Sequence, residues 1–342
     1  MNNLKEYIEE YIGGDDFSPG LSYAVIKNGQ CLAKESYGYA NLEHMVKIDS
    51  NSNFYLASLG KAFTAASIVI LQQKGLVNFQ DSIKKYFVDL PDYYEEVRVI
   101  DLIKHTSGIK NYFDMFSEDE KIYDITNHEI YEKVILKEPL EFSPGEKFKY
   151  SNTAYVLLAM LIEKISQEKF SEFLNKNIFK PLKMNNTFLF TEDKPIIPKR
   201  VYGYEFKEEK YCCNDYPILT YGDGSIYSSV EDLMLWSESF DKGTLFSKEI
   251  VEKIFSKSPL NDGTLGKYGF GWMVYEKNNK KIVFHAGNMS GFNNIIVKVP
   301  EDDFTIIILS NCYKDSWKRI YKEVHDFTMK VMKDFQGIKL ER

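Results

Sequence analysis

The sequence predicts an α+β fold: an antiparallel sheet flanked by terminal helices, with a mostly helical region inserted between the two halves of the sheet. Three observations lead there. Strand-and-turn patterns occur towards both ends of the 342-residue chain, the middle switches to helical periodicity, and neighbouring strands are joined by short turns rather than crossover helices.

The elements follow in order. Between Met1 and Ile12, Leu4, Tyr7, Ile8, Tyr11 and Ile12 recur at helical spacing among Glu and Lys, which describes an amphipathic surface helix. Residues 21–27 and 30–37 flank Asn28-Gly29, a dipeptide that accepts the positive φ angles of a two-residue hairpin. From Ala57 the period changes. Lys61 to Lys74 is a near-continuous apolar helix closed by Gly75, and because it is apolar on all sides it should lie at the centre of the molecule. Helical segments and loops continue from about residue 80 to 185. Val99 to Lys104 and Thr153 to Ser166 are the clearest, the latter with Val156, Leu157, Met160, Leu161 and Ile165 on one side. Gly222 to Ser229 is turn-rich and leads into a helix whose start carries the capping-box pattern Ser228-x-x-Glu231.

Strands then return. Phe270 to Tyr275 and Lys281 to His285 flank residues 277–280, and Asn294 to Val299 and Thr305 to Leu309 flank Pro300 to Asp303. A last helix runs from about Trp317 to Phe335. The division this implies is a sheet region of residues 1–57 and 206–342, a helical region of residues 58–205, and a cleft between them.

Composition excludes several function classes. A chain that is 44% hydrophobic with 10 prolines and no low-complexity tract folds into a core. Lys and Arg number 43 against 50 Asp and Glu, and no basic run could neutralise a phosphate backbone, so nucleic acid is not an expected partner. No uncharged apolar run reaches 18 residues, so no membrane span is expected. The N-terminal segment lacks the pattern of a secretion signal, which makes a cytoplasmic location the expectation, with prior removal of a signal peptide left open. Cys31, Cys212, Cys213 and Cys312 lack metal-ligand spacing and read as reduced thiols, while His44, His105, His128 and His325 form no zinc motif. No metal or cofactor is expected. The partner implied is a small molecule or short peptide, and the oligomeric state is not readable.

Three short motifs carry possible chemistry. Ser-x-x-Lys occurs at Ser58/Lys61 and also at Ser82/Lys85, Ser107/Lys110, Ser166/Lys169 and Ser239/Lys242, but only Ser58 stands between an apolar entry and the start of the buried helix. There, positions i and i+3 share one face, so Lys61 stands beside the Ser58 hydroxyl. Burial would lower its proton affinity and make it a base. Tyr150-Ser151-Asn152 follows the Pro144-Gly145 turn and precedes an apolar helix, a place for a proton-shuttling phenol and an amide that binds a carbonyl. His285-Ala286-Gly287 ends a strand, where the imidazole can meet substrate or a tyrosine and the glycine admits a ligand or another backbone. Taken singly, each has an ordinary structural explanation: a helix cap, a solvated lysine, a half-buried tyrosine, a strand-end histidine. Their joint occurrence in this order, each at a fold transition, points to acyl transfer.

At these motifs the chain resembles the serine β-lactamase and penicillin-binding protein family, in the branch of class C β-lactamases, D,D-peptidases, D-aminopeptidases and esterases. The likeness extends through Phe54-Tyr-Leu-Ala-Ser-Leu-Gly-Lys61, Leu102-Ile-Lys-His-Thr-Ser-Gly-Ile109, Phe142-Ser-Pro-Gly145, Tyr150-Ser-Asn152 and Gly222-Asp-Gly-Ser225. It implies a β-lactamase/transpeptidase-like fold. It also implies Ser58 as acylated nucleophile, Lys61 as its base or proton partner, Tyr150 as proton shuttle to the leaving group, and Asn152 as ligand of the substrate amide. His285 and Gly287 would line the strand edge, and the N–H groups of Ser58 and Asn288 would form the oxyanion hole. One departure is the His-x-Gly at 285–287, where class C β-lactamases carry Lys-Thr-Gly; a histidine attracts a carboxylate less than a permanent ammonium does. The expectation is therefore a serine hydrolase acting on an amide, ester or β-lactam bond, with D-amino-acid peptides or esters favoured. The alternative is a catalytically silent protein that binds β-lactams or cell-wall fragments.

Overall fold

Asn28 and Gly29 both take left-handed backbone angles, φ 50° and 70°, as a tight primed turn requires. They join β1 (Leu21–Lys27) to β2 (Gln30–Tyr37). The structure, a computed structural model, describes residues 4–6, 8–9, 17–115, 122–277, 280–313 and 324–335. At the other end of the chain come β3 (Met273–Lys277), β4 (Lys280–Met289), β5 (Phe292–Val299) and β6 (Phe304–Ser310). The six form one antiparallel sheet in the order β3-β4-β5-β6-β1-β2. Its two halves meet at β6 and β1, with Ile307 opposite Ala24.

Alternation along the central strands supplies two cores. Ile295, Val297, Ile306, Ile308, Tyr23 and Val25 face one side, where Leu4, Ile8, Val324, Phe327 and Val331 cover them. The last three belong to α4 (Val324–Asp334), so both ends of the chain protect this face. The rest of the expected first and last helices, including Tyr7, Tyr11, Ile12 and residues 317–323, lies outside the described residues. On the opposite side Ala24, Val283, Ile296, Ile307 and Leu309 join the helical core.

That core is built around α1 (Lys61–Gln73), whose residues 61–71 are all buried, and α2 (Asn152–Ser166). Burial on every side explains the unbroken apolar run of α1. The chain turns out of α1 at Gly75, φ 71°. Phe63 of α1 stacks on Trp236 of α3 (Val230–Lys242), ring centroids 4.3 Å apart, which seats α3 between α1 and the sheet.

Three local expectations are corrected. The cap of α3 is Ser229, which accepts from the Asp232 N–H at 3.2 Å, and not Ser228. Ser228 is taken by a small sheet in which Phe54–Tyr55, Ile226–Ser228 and Phe188–Leu189 pair. Residues 270–272 precede β3 instead of opening it. His285-Ala286-Gly287 lies inside β4, which runs on to Met289 before turning into β5.

His285 and Gly287 share the face of β4 turned to the helices, in register with Val283. A β-carbon on Gly287 would lie 1.9 Å from the Leu56 carbonyl oxygen and 3.1 Å from the Leu59 nitrogen. Gly287 thus admits another stretch of backbone, the one that carries Ser58. Gly287→Ala should cost about 1–3 kcal/mol, since neither backbone can yield easily. Urea denaturation of the variant checks this, and an unchanged midpoint would show that the two segments are not in contact.

Candidate active site

Ser58 sits in a 3-10 turn, Ala57–Gly60, that runs directly into α1. Ala57 before it has φ 49°, a left-handed angle that disfavours any residue with a β-carbon. The turn is held by β4 on one side, through Gly287, and by the Gly222–Ser225 segment on the other. One helical turn on, Lys61 is wholly buried. Its ammonium donates to Ser58 Oγ at 3.2 Å, to Asn152 Oδ1 at 2.7 Å and to the Asp223 carbonyl oxygen. The ring of Tyr150 lies 4.9 Å from the same nitrogen. Burial pulls the Lys61 pKa down to about 7, against the opposing pull of the Asp223 charge.

In the other four Ser-x-x-Lys matches the lysine pairs with a carboxylate instead: Lys85 with Asp81 at 2.9 Å, Lys110 with Glu138 at 3.0 Å, Lys169 with Asp193 at 3.5 Å, and Lys242 with Glu238. Position in the fold, not the motif, separates Ser58/Lys61 from them.

Tyr150 is half-buried beside Ser58 and interacts with its hydroxyl, while burial raises its phenol pKa above the usual value. The loop that presents it is locked by His105, a buried residue whose Nδ1 accepts from the Ser151 N–H at 3.1 Å and whose ring lies 4.2 Å from that of Tyr150. Ser151 caps α2 by accepting from the Ala154 N–H at 3.3 Å. The N–H of Asn152, the first residue of α2, donates to Asn111 Oδ1 at 3.0 Å.

His285 takes a different place from the expected cleft edge. It is buried, Nε2 is 2.7 Å from the Tyr268 hydroxyl, and Nδ1 is 2.7 Å from the Ala286 carbonyl oxygen. A carbonyl only accepts, so Nδ1 carries the proton and Nε2 accepts from Tyr268. Burial and then the nearby Lys61 charge push its pKa down to about 3. The imidazole is neutral and belongs to the tyrosine network, with Tyr150 6.4 Å away between ring centroids.

A cavity of about 130 Å³ opens in front of Ser58. Asn152 and Asn288 line it with Ser58, so these three expected residues share one wall, whereas Lys61, Tyr150, His285 and Gly287 do not line it. Phe113, Ile218 and Met289 make it apolar, and no basic side chain lines it among the described residues. Tyr112, next to Phe113 in the chain, is buried and bonds through its hydroxyl to Asp223 on this wall. Tyr221 stacks on Phe170, and Tyr211 packs at the other face of the sheet.

Asp223 belongs to none of the three motifs yet stands in the site. It lines the cavity, is buried, and its Oδ2 accepts from the Tyr112 hydroxyl at 2.8 Å. Its signal was present in the Gly222-Asp-Gly-Ser225 turn, as that of His105 was in the Leu102–Ile109 stretch. Tyr268 gave no signal.

With this geometry in view, a family model described as Beta-lactamase matches residues 5–326. The chain belongs to the β-lactamase family. Among curated members it is 32% identical over 308 residues to penicillin-binding protein 4* of Bacillus subtilis, covering 85% of this chain and 67% of that protein. It is 27% identical to protein flp of Staphylococcus aureus, covering 91% of this chain and 64% of that one. The chain thus spans about two thirds of the length of these β-lactamase-family relatives.

Solved structures agree on a β-lactamase/transpeptidase-like fold. The octameric penicillin-binding protein homologue of Pyrococcus abyssi superposes with TM-score 0.82 at 27% identity, over 96% of this chain and 77% of that one. The D-amino acid amidase of Ochrobactrum anthropi SV3 superposes with TM-score 0.81 at 20% identity, over 98% and 99%. Family membership supports a serine hydrolase in general terms. No helix among the described residues is long and apolar enough to cross a membrane.

Tyr268→Phe tests the histidine network. It strands the buried Nε2 of His285, which should cost about 1–3 kcal/mol of stability in urea unfolding. No loss would mean that the imidazole has another partner.

Proposed function

We propose that Ser58 forms an acyl-enzyme with an amide or ester substrate, and that D-amino-acid amides, peptides or esters are the preferred class. The observation that carries the reading is the Lys61 amine, held 3.2 Å from Ser58 Oγ at a site where burial brings its pKa to about 7. Near neutral pH a large share of Lys61 is then unprotonated and able to accept the serine proton. In this reading the active site is the cleft between the sheet region of residues 1–57 and 206–342 and the helical region of residues 58–205.

The steps follow from the contacts. Ser58 Oγ attacks the substrate carbonyl carbon as its proton passes to Lys61 Nζ. The carbonyl oxygen, now negative, is held by the backbone N–H groups of Ser58 and Asn288. Tyr150, whose raised pKa keeps its phenol protonated, gives a proton to the departing amine or alkoxide and is replenished from Lys61. Asn152 has its Oδ1 on Lys61, which leaves its amide NH2 to hold the carbonyl of the acyl group. Water then cleaves the Ser58 ester and returns the enzyme.

The preference for D-amino-acid substrates rests on the fold shared with a D-amino acid amidase and on the wall of the cavity. With no basic side chain lining that wall, and with His285 neutral, the carboxylate of a β-lactam or of a peptide C-terminus finds no cation in the cavity lining. Amides and esters that lack this carboxylate suit the cavity better.

Incubation with a fluorophosphonate followed by mass mapping should place one adduct on Ser58, and Ser58→Ala should abolish it. An adduct elsewhere, or none, would remove the reading. The labelling rate should rise from pH 6 to pH 8 and level off above, because Lys61 loses its proton near pH 7. A midpoint near the ordinary lysine value would exclude Lys61 as the base. Against a panel of D-aminoacyl anilides, p-nitrophenyl esters and nitrocefin, turnover should be faster with the first two. A stable Ser58 adduct with no turnover of any substrate would instead favour a binding protein.

A further inference from the structure

Lys61 has oxygen atoms around it but almost no charge. The groups that face it are Ser58 on the turn before its own helix, Asn152 and Tyr155 on α2, and Tyr150 on the loop before α2. His105 follows the Val99–Ile103 helix, and His285 and Tyr268 come from β4 and the segment ahead of β3. Both histidines are neutral, since burial and the Lys61 charge push their pKa values down. Among these groups Asp223 is the one carboxylate whose charge acts on Lys61.

Asp223 is held from three directions. Thr64 of α1 donates to the Gly222 carbonyl at 2.7 Å, and Gly222 packs so tightly on α2 that a β-carbon would come within 2.4 Å of the Tyr155 carbonyl oxygen. The Asp223 carbonyl accepts from Lys61. The carboxylate accepts from the Tyr112 hydroxyl at 2.8 Å, which in turn meets Thr220 Oγ1 at 2.9 Å. The Tyr112 N–H donates to Thr153 Oγ1 at 2.8 Å, so the anchor is itself tied to α2. The second carboxylate oxygen, Oδ1, is buried with no hydrogen-bond partner from another described residue. A buried carboxylate oxygen without such a partner calls for an explanation, and use of its charge at the site is one.

We propose that Asp223 is a positioning residue for proton transfer at Ser58: its main chain fixes the Lys61 amine, and its Tyr112-anchored carboxylate is the counter-charge that sets how readily Lys61 holds a proton. The role rests on the acyl-enzyme reading of Ser58. Without the carboxylate, desolvation alone acts on Lys61 and its proton affinity falls further, so the base form persists to lower pH but is weaker. The same negative charge disfavours a phenolate at Tyr150, which keeps the shuttle protonated.

The test is the pH dependence of fluorophosphonate labelling of Ser58 in the parent chain and in D223N, which keeps the Tyr112 contact and loses the charge. The midpoint should move down by about one pH unit or more, with a lower plateau rate. A midpoint that coincides with the parent's overturns the proposal. Tyr112→Phe is the second variant. It removes the anchor, burial then favours the neutral acid, and the midpoint should move the same way by less. If D223N does not fold, an unmoved Tyr112→Phe midpoint overturns the proposal by itself. NMR titration of Lys61 in protein carrying 13C at the lysine ε-carbon reads the same shifts with no substrate or probe. Absence of Ser58 labelling in the parent would therefore sink the hydrolase reading while the Lys61 midpoints still decided the role of Asp223.

Discussion

The site depends on an amine kept out of water. Lys61 stands at the start of a helix buried from residue 61 to 71, and a side chain of this length so placed must have its donors satisfied by protein oxygen atoms. The acceptors come from three separate parts of the chain: the turn before α1, the first residue of α2, and the Gly222–Ser225 segment. Satisfying one buried group therefore brings together the pieces that surround Ser58. Desolvation, which makes the arrangement costly, also brings the amine into the range where it exchanges protons near neutral pH.

The convergence needs backbones closer than side chains allow. Gly287 lets β4 touch the Leu56–Leu59 turn, and as a result Asn288, the next residue, emerges on the same cavity wall as Ser58. Gly222 does the same against α2. β4 is held at this point through β5, with Gly287 opposite Asn294 and Asn288 opposite Asn293, while its pairing with β3 ends at Phe284.

Around the amine the polar groups are arranged in layers. Asn152 and Ser58 reach the cavity, Tyr150 is half-buried beside them, and His105, His285 and Tyr268 stand behind. The histidines act here as neutral hydrogen-bonding and stacking groups: His105 holds the loop of Tyr150, and His285 accepts from Tyr268. A cation at position 285 would add a second buried charge close to Lys61. The His-x-Gly departure from Lys-Thr-Gly thus has a physical counterpart in the packing as well as in the expected substrate preference.

Features that depend on near neighbours are legible in the sequence. The Asn28-Gly29 turn, the central helix from Lys61, the helix after Tyr150 and the side-by-side placement of Ser58 and Lys61 follow from dihedral preference and helical spacing, which act over a few residues. Even there, Ser228 was lost as a cap because pairing with Phe54, far away in sequence, claimed it. The rest depends on contacts between segments far apart in the chain. Tyr112 and Asp223 are 111 positions apart and Lys61 and Asp223 are 162 apart, so no local pattern links them. The burial that makes His285 neutral, and the backbone contact that makes Gly287 necessary, exist only once β4 has closed on the turn that holds Ser58.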